Sequence, residues 1–373
     1  MLNRNTQGRP TTPVILLGVT IITIVFCAFN VRAQPNNQPL TSQELVRLVY
    51  QLPAHPAMRD QIVDEIRKRG IGFELTSGLL SVVATKSGND ALLRRTLEEA
   101  ARRRLNPTAS VLPSEAEASD ILERTRKITL AAAEAMPDFV VRQRITRSYA
   151  RGSTENWIVA DHLTVAVSYR ESAGEQYKLL SINGLPPGKD APEGNDYTQA
   201  GGASSTGEYV TTLTALFSEE SRTTFQVVDT DLLRGHRMVV YEYEVKKPYS
   251  TYRITADADR SVISGYRGRV WLDRENYRVL RIESMATDLP PDFPITATSR
   301  LVDYDWVTIN ERPYLLPSFA EIKMSYNRKG QIFQSRNEIR FRNYQKFGSE
   351  VKIIEEDITE DEPEEKNPEQ KKP

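Results

Sequence analysis

The sequence predicts an α+β protein, in which a small helical module precedes a large, half-barrel-like curved antiparallel sheet with helices packed on its concave face. Three observations favour this class. Short apolar stripes at helical spacing, broken by Pro and Gly, occupy residues 41–105. Strand patterns of period two occupy most of residues 138–344. Helices of crossover length do not separate those strands, so we expect antiparallel pairing.

The helical module, residues 41–105, is predicted from the residues that begin and end its four helices. Thr41 and Glu44 have the spacing of a capping box, in which each side chain bonds the backbone N–H of the other residue. Gly88 is expected to end the third helix, and Asn89 to cap the fourth. The fourth helix ends in three arginines, Arg102–Arg104, interpreted as a solvated helix end; a patch for phosphate or membrane is the alternative.

The sheet domain, residues 114–348, is predicted to begin with a helix from Ser114 to Met136, which Pro137 ends. A second helix is expected at residues 208–220, among the strands. The predicted strands cover residues 139–149, 157–169, 176–182, 224–229, 237–246, 249–256, two strands within 261–283, 296–306, 313–316, 320–326 and 332–344.

Alternation within these strands predicts an apolar concave face and a charged outer face. A strongly curved sheet cannot fill its own concavity, so either a helix or a ligand occupies it. The residues predicted to line a ligand there are Val239, Tyr241, Tyr243, Val270, Leu272, Leu280 and Ile282. On the opposite face, Arg267 and Arg269 of the hairpin and Arg336, Arg340 and Arg342 of the last strand are expected to be solvated, although an anionic partner could use them.

The glycine-rich stretch before residue 208 is the other candidate functional element. Gly201, Gly202 and Gly207 are predicted to belong to a lid loop or to a plain loop. Backbone N–H groups ahead of a helix can also hold an anion, but this stretch lacks the Lys of a phosphate-binding loop.

No catalytic residue, metal site or cofactor is predicted. The three histidines, His55, His162 and His236, do not have metal-ligand spacing, and Cys27 is the single cysteine. The net charge of −1 gives no global field that would attract nucleic acid.

The two ends of the sequence differ from the rest. Residues 1–33 contain arginines, an apolar run and a small-x-small pattern, which predict an export signal and a periplasmic or extracellular protein; the alternative is an inner-membrane anchor at residues 14–31. Residues 349–373 are predicted to form a disordered acidic tail, because acidic residues and prolines dominate them.

The hairpin segments 270–273 and 277–282, together with the final strand at 337–341, resemble the half-barrel of periplasmic lipoprotein carriers and related sorting proteins. That resemblance implies a concavity able to hold acyl chains. This sequence departs from the carriers by its helical module and by a longer insertion at residues 186–207. Residues 201–209 and 289–294 also resemble a set of exported soil-bacterial proteins that have no established activity.

Two functions therefore remain open. The first is a non-enzymatic exported protein that binds an apolar ligand, such as a lipid, or a lipidated partner inside the sheet. The alternative is an envelope scaffold or interaction module that binds other envelope proteins and whose sheet is filled and ligand-free. A hydrolase would need paired carboxylates, a triad or a metal cluster, and the sequence shows none of these patterns.

Overall fold

The computed structural model describes residues 38–107, 111–152, 154–187, 197, 206–207, 209, 211–257 and 260–348. The predicted export signal and acidic tail lie outside these residues, as do Gly201 and Gly202.

The described residues form six α-helices and twelve strands. The helices are α1 (Ser42–Val49), α2 (Met58–Arg69), α3 (Ser77–Ser87), α4 (Ala91–Leu105), α5 (Glu115–Glu134) and α6 (Thr211–Phe217). The strands are β1 (Phe139–Arg151), β2 (Ile158–Arg170), β3 (Gly174–Ile182), β4 (Thr224–Leu233), β5 (His236–Val245), β6 (Arg253–Asp257), β7 (Arg260–Ile263), β8 (Gly265–Asp273), β9 (Val279–Thr287), β10 (Ile295–Ile309), β11 (Arg312–Arg328) and β12 (Gln331–Lys346).

Ten of these strands form one curved sheet in the order β3-β2-β1-β12-β11-β10-β9-β8-β5-β4. Every pair of neighbours is antiparallel, and β3 and β4 remain as open edges. Strands β6 and β7 form a separate hairpin. The predicted α+β class with a large antiparallel sheet is therefore confirmed.

The helix caps follow local sequence closely, with one exception. Thr41 and Glu44 form the predicted capping box, and Gly88 ends α3 in the left-handed conformation. The prediction that Asn89 caps α4 is wrong, because Asn89 also has a positive φ of 61°. Asp90 has the extended conformation that a cap requires, and its side chain accepts a hydrogen bond from Leu93 N.

Helices α1–α4 enclose a hydrophobic cluster separate from that of the sheet. Leu45, Ile66, Leu93 and Leu97 are fully buried at its centre. Helix α4 contributes to this cluster through one face only. The opposite face carries Arg95, Glu99, Arg102 and Arg103, at spacings that place them on neighbouring turns.

That charged face of α4 packs on the outer, convex face of the sheet. Arg269 of β8, predicted to be solvated, is only 2% exposed and binds both Glu99 of α4 and Glu242 of β5. Glu99 itself is 4% exposed. Desolvation raises the pKa of the Glu99 carboxyl to about 8, and the nearby Asp229 carboxylate acts in the same direction. The prediction for Arg269 is therefore wrong, since the helical module covers it.

The arginines at the end of α4 take part in the same interface. Arg103 Nη1 lies 3.0 Å from Asp229 Oδ1, and Arg102 Nε lies 3.8 Å from Asp231 Oδ1. The interpretation as a solvated helix end is therefore wrong for Arg103, which is half-buried, whereas Arg102 and Arg104 are exposed. Arg67 of α2 donates to Glu242 at 2.9 Å, so arginines of the module pair with carboxylates of the sheet at several points around the Arg269–Glu99 pair.

The concave face is filled mainly by α5 and α6. Ile121 of α5 and Leu213, Leu216 and Phe217 of α6 pack in one cluster with inward residues of the sheet. Tyr209, just before α6, is buried against Phe139 with ring centroids 5.3 Å apart. Helices packed on the concave face were predicted, and the predicted helix that ends at Met136 ends two residues earlier.

The predicted strand 249–256 begins only at Arg253, and the two strands predicted within 261–283 are three, β7, β8 and β9. Two bulges account for further differences. The segments 313–316 and 320–326 form the single strand β11. Pro317 pairs with Tyr304 and Phe319 with Asp303, so a β-bulge at this point accommodates the proline within the strand. A second shift, at Trp271/Leu272, places Leu272 opposite Val279 and Trp271 opposite Arg281.

Candidate functional site

The described residues leave a cavity of about 690 Å³ at the rim of the concave face, beside α6. The volume lies within the range of small-molecule sites, roughly 300–1,000 Å³. Its walls combine charged, hydroxyl and aromatic side chains. The lining residues are Glu175, Gln176, Tyr177, Thr206, Gly207, Thr211, Thr212, Ala215, Thr251, Tyr252, Arg253, Tyr266 and Arg300.

Distant parts of the chain supply these walls. The edge strand β3 contributes residues 175–177, and the first turns of α6 contribute residues 211, 212 and 215. The opposite wall comes from the segment that leads into β6 and from the inward faces of β8 and β10. The cavity therefore lies between an open edge of the sheet and its middle strands, with α6 between them.

Gly207 connects the β3 wall to α6. Its φ of 86° lies in the left-handed region, which Gly adopts without a steric penalty. Its N–H donates to Glu175 Oε2 at 3.0 Å and to Tyr177 Oη at 3.1 Å. Its carbonyl accepts from Thr212 Oγ1 at 2.7 Å. Of the three glycines predicted as a lid loop, Gly207 is thus at the cavity; the lid role stays a prediction.

Arg300 supplies positive charge on the inward side of the sheet. It lies opposite Ile322 of β11, a residue of the concave cluster, and it is half-buried. Its guanidinium is 5.5 Å from the centroid of the Tyr252 ring. Burial raises the pKa of Tyr266 to about 12, and Arg300 acts against this rise. At neutral pH, Tyr266 is therefore an uncharged hydroxyl beside the positively charged guanidinium of Arg300.

The residues predicted to line a ligand occupy other positions. Val239, Tyr241, Tyr243, Val270, Leu272 and Ile282 are buried in the concave cluster with α5 and α6. Tyr241 Oη donates to Ala118 O of α5 at 2.7 Å, so that helix covers it. None of the seven predicted residues lines the cavity.

Leu280 lies on the other face of the sheet from Ile282. It packs with Trp271, Val240 and Met238 in a separate cluster. The bulge in β9 places Leu280 and Arg281 on the same side, so the prediction that Leu280 and Ile282 share one face is wrong.

Sequence reasoning missed most residues of the cavity. Arg300 could have been identified from the strand alternation, because it is two residues from Val302 and therefore shares its inward face. Glu175, Tyr177 and Tyr252 could not have been identified in this way. The segments that contain them have the same composition as ordinary exposed strand ends and loops.

His236 of β5 and Asp273 of β8 form an imidazole–carboxylate pair. His236 Nδ1 lies 2.8 Å from Asp273 Oδ2, and Asp273 also accepts from the backbone N–H groups of Glu275 and Asn276. This arrangement stabilises the β8–β9 turn. No group of three or more metal-ligating side chains occurs among the residues described.

In the part of the chain that the structure covers, no helix has the length and apolar character to cross a membrane.

No protein-family profile matches the chain, and no curated protein matches it by sequence. A DUF1329 family protein from Desulfovibrio piger is similar in structure, with 9% identity, a TM-score of 0.26, and coverage of 61% of this chain and 94% of that one. Lipovitellin, described for its lipid–protein interactions, has 11% identity and a TM-score of 0.25; the match covers 57% of this chain but 26% of lipovitellin.

The MucA/MucB complex of Pseudomonas aeruginosa is also similar, with 10% identity, a TM-score of 0.16, and coverage of 60% of this chain and 94% of that one. At these identities and TM-scores, the similarities assign neither a family nor a function to this chain. The resemblance to the lipoprotein carriers therefore stays a prediction.

Proposed function

We propose that the protein is a non-enzymatic, exported binding protein that holds an amphipathic ligand with one anionic group in the cavity beside α6. The observation that carries this proposal is the mixed wall of that cavity, where Arg300 lies next to the rings of Tyr252 and Tyr266. Export follows from the leader pattern of residues 1–33.

The filled centre of the sheet limits the size of the ligand. Helices α5 and α6 occupy the apolar concavity where a carrier would hold long acyl chains. The remaining space, about 690 Å³, suits a ligand with a short apolar part. The apolar part would contact Ala215 and the two tyrosine rings, and the anionic group would face Arg300.

The scaffold function is supported by a different observation. Helix α5 covers Tyr241 and its neighbours, so the sheet is stable without a ligand at its centre. In this alternative, the protein binds other envelope proteins through its surface and the cavity contains water.

Isothermal titration with laurate and its neutral glycerol ester, monolaurin, separates these functions, because the two probes share an acyl chain and differ in charge. We expect laurate to bind the wild-type protein more tightly than monolaurin. Arg300→Gln should weaken laurate binding about 10- to 100-fold, since a charge-assisted hydrogen bond contributes about 1.5–3 kcal/mol. Monolaurin binding should change less than about twofold, because its headgroup has no charge for Arg300 to pair with.

Arg312→Gln is the matched control, because Arg312 is exposed at the start of β11 and does not line the cavity. It should leave both affinities unchanged. Equal weakening of the two probes by Arg300→Gln would reject anion recognition. Absence of binding by either probe, with a bare protein mass in native mass spectrometry, would support the scaffold function instead.

A further inference from the structure

Four arginines form a square block on the convex face, on the neighbouring strands β1 and β12. Arg142 and Arg144 of β1 lie directly opposite Arg342 and Arg340 of β12. Their sequence neighbours Val141, Ile145, Ile339 and Phe341 are buried in the concave cluster, so the arginines are on the other side. Lys178 of β3 extends the row, since it lies opposite Ala166, which lies opposite Arg142.

The block is solvent-accessible, and the neighbouring carboxylate on β12, Glu338, pairs with Arg336 rather than with the block. Arg144, Arg340, Arg342 and Lys178 are exposed, and Arg142 is half-buried. Among the residues described, none of these five cations forms an ion pair. The one contact recorded for their charged ends is Arg340 over the Phe319 ring, at 5.8 Å.

This arrangement contrasts with the interface between the helical module and the sheet. There, Arg67, Arg103 and Arg269 each bind a carboxylate. In the block, like charges oppose each other across neighbouring strands, which destabilises a sheet. An exposed anion held by several arginines would remove that repulsion.

We propose that the acidic C-terminal residues 350–373 of this same chain dock on the arginine block. Residues 350–373 contain ten acidic and four basic side chains, a net charge of −6 (4 − 10). The five cations of the block sum to +5. The charges of the two segments are therefore opposite and nearly equal.

Chain connectivity favours the tail over a separate partner. Strand β12 ends at Lys346, four residues after Arg342, and the described chain ends at Gly348. The acidic residues begin at Glu350 and become dense from Glu355. The seven extended residues from Gly348 to Glu355 span about 23–25 Å, enough to return along β12 to Arg342, which is six residues before Gly348. A short tether also gives the tail an effective concentration in the millimolar range, so weak contacts suffice.

A distance measurement between spin labels tests this docking in the full-length protein. The variant Cys27→Ser removes the single native cysteine, and Ser168→Cys with Thr359→Cys places labels beside the block and in the tail. We expect a short, narrow distance distribution at low salt. High salt should convert it to a long, broad one, because exposed ion pairs are screened.

A quadruple variant of the block should have a smaller docked fraction. It combines Arg142→Gln, Arg144→Gln, Arg340→Gln and Arg342→Gln. Loss of four arginine–carboxylate pairs, each at the lower end of the usual strength of surface ion pairs, should lower the equilibrium constant for docking about tenfold. The matched control removes four exposed arginines elsewhere, Arg237, Arg267, Arg312 and Arg328, by the same substitution, and should leave the distances unchanged. Thermal melts at high salt would verify that both variants are folded.

A long, broad distribution in the wild-type protein at low salt would overturn the proposal, as would an equal effect of the two quadruple variants. Sedimentation with phosphatidylglycerol and phosphatidylcholine vesicles adds a second arm. If the tail is undocked and the wild-type protein binds only the anionic vesicles through the four arginines, the block is a membrane site and the tail proposal is wrong. This test is independent of the cavity, since neither Arg300 nor α6 is altered.

Discussion

Replacing Arg269 with Met should lower the free energy of unfolding by about 3–5 kcal/mol, the usual cost of removing one partner of a buried ion pair. The guanidinium of Arg269 lies between Glu99 and Glu242 under the helical module. Met fills much of the space but leaves the Glu99 carboxyl buried without its closest cation. Urea denaturation, followed by the far-ultraviolet circular dichroism of the whole protein, would measure the loss.

The loss should also depend on pH. Burial raises the pKa of Glu99 to about 8 in the folded protein, well above its usual value. Loss of the Arg269 cation should raise that pKa further, so at pH 6 Glu99 is protonated in the variant and avoids a buried charge, whereas at pH 9 protonation costs free energy. We therefore expect Arg269→Met to be more destabilising at pH 9 than at pH 6.

Two comparisons make the Arg269 prediction specific. Arg267→Met changes an exposed arginine on the same strand and face, and should alter stability by less than about 0.5 kcal/mol. The double variant Arg269→Met/Glu99→Leu should regain much of the lost stability, because no buried charge is left unpaired. Equal effects of Arg267→Met and Arg269→Met would contradict the buried interface.

Gly268→Ala should destabilise the protein by about 3 kcal/mol or more, the upper end of the cost of overpacking a core. A Cβ atom at Gly268 would lie 1.8 Å from the carbonyl oxygen of Glu283 and 2.9 Å from Ser284 Cα. Both are backbone atoms of the neighbouring strand β9, so they cannot move without breaking the β8–β9 pairing. Tyr243 lies directly opposite Gly268 and donates its hydroxyl to that same carbonyl, so its ring would also have to move.

Gly78→Ala provides the comparison for this substitution. Gly78 lies in the first turn of α3, where an added Cβ would meet only Thr76 Oγ1 at 4.0 Å. Ala in a helix is favoured over Gly by up to about 1 kcal/mol, so this variant should be as stable as wild type or slightly more stable. Denaturation curves of the two variants should therefore shift in opposite directions; a Gly268→Ala curve that overlaps the wild-type curve would show that the close approach is absent.

Local sequence predicted the elements well, because their determinants are local. The capping box of Thr41 and Glu44 involves residues three positions apart, and the strand alternation of β5 and β8 involves residues two apart. The errors occurred where the backbone departs from the regular repeat. Asn89 took a left-handed conformation, and a bulge placed Leu280 on the unexpected face.

The candidate site was much less predictable. Its walls combine β3, α6, β8 and β10, which are far apart in sequence, and each wall residue is ordinary in its own segment. Helices α5 and α6 fill the concavity. The apolar periodicity of a helix shows which of its faces is buried, but not how much of the concavity the helix will occupy. The apolar residues predicted to contact a ligand therefore lie in the hydrophobic core, and the cavity lies at the rim of the concave face.

By itself, the sequence determined the α+β class, the antiparallel pairing and the positions of most helices and strands, since apolar periodicity and caps act over a few residues. Only the tertiary structure decided which charged residues are buried. Arg269 and Glu99 are 170 residues apart, whereas Arg144 and Arg342 have similar local sequence patterns and remain exposed. The physical reason is that the alternation of a strand distinguishes its two faces, but burial of the polar face requires a distant element to cover it.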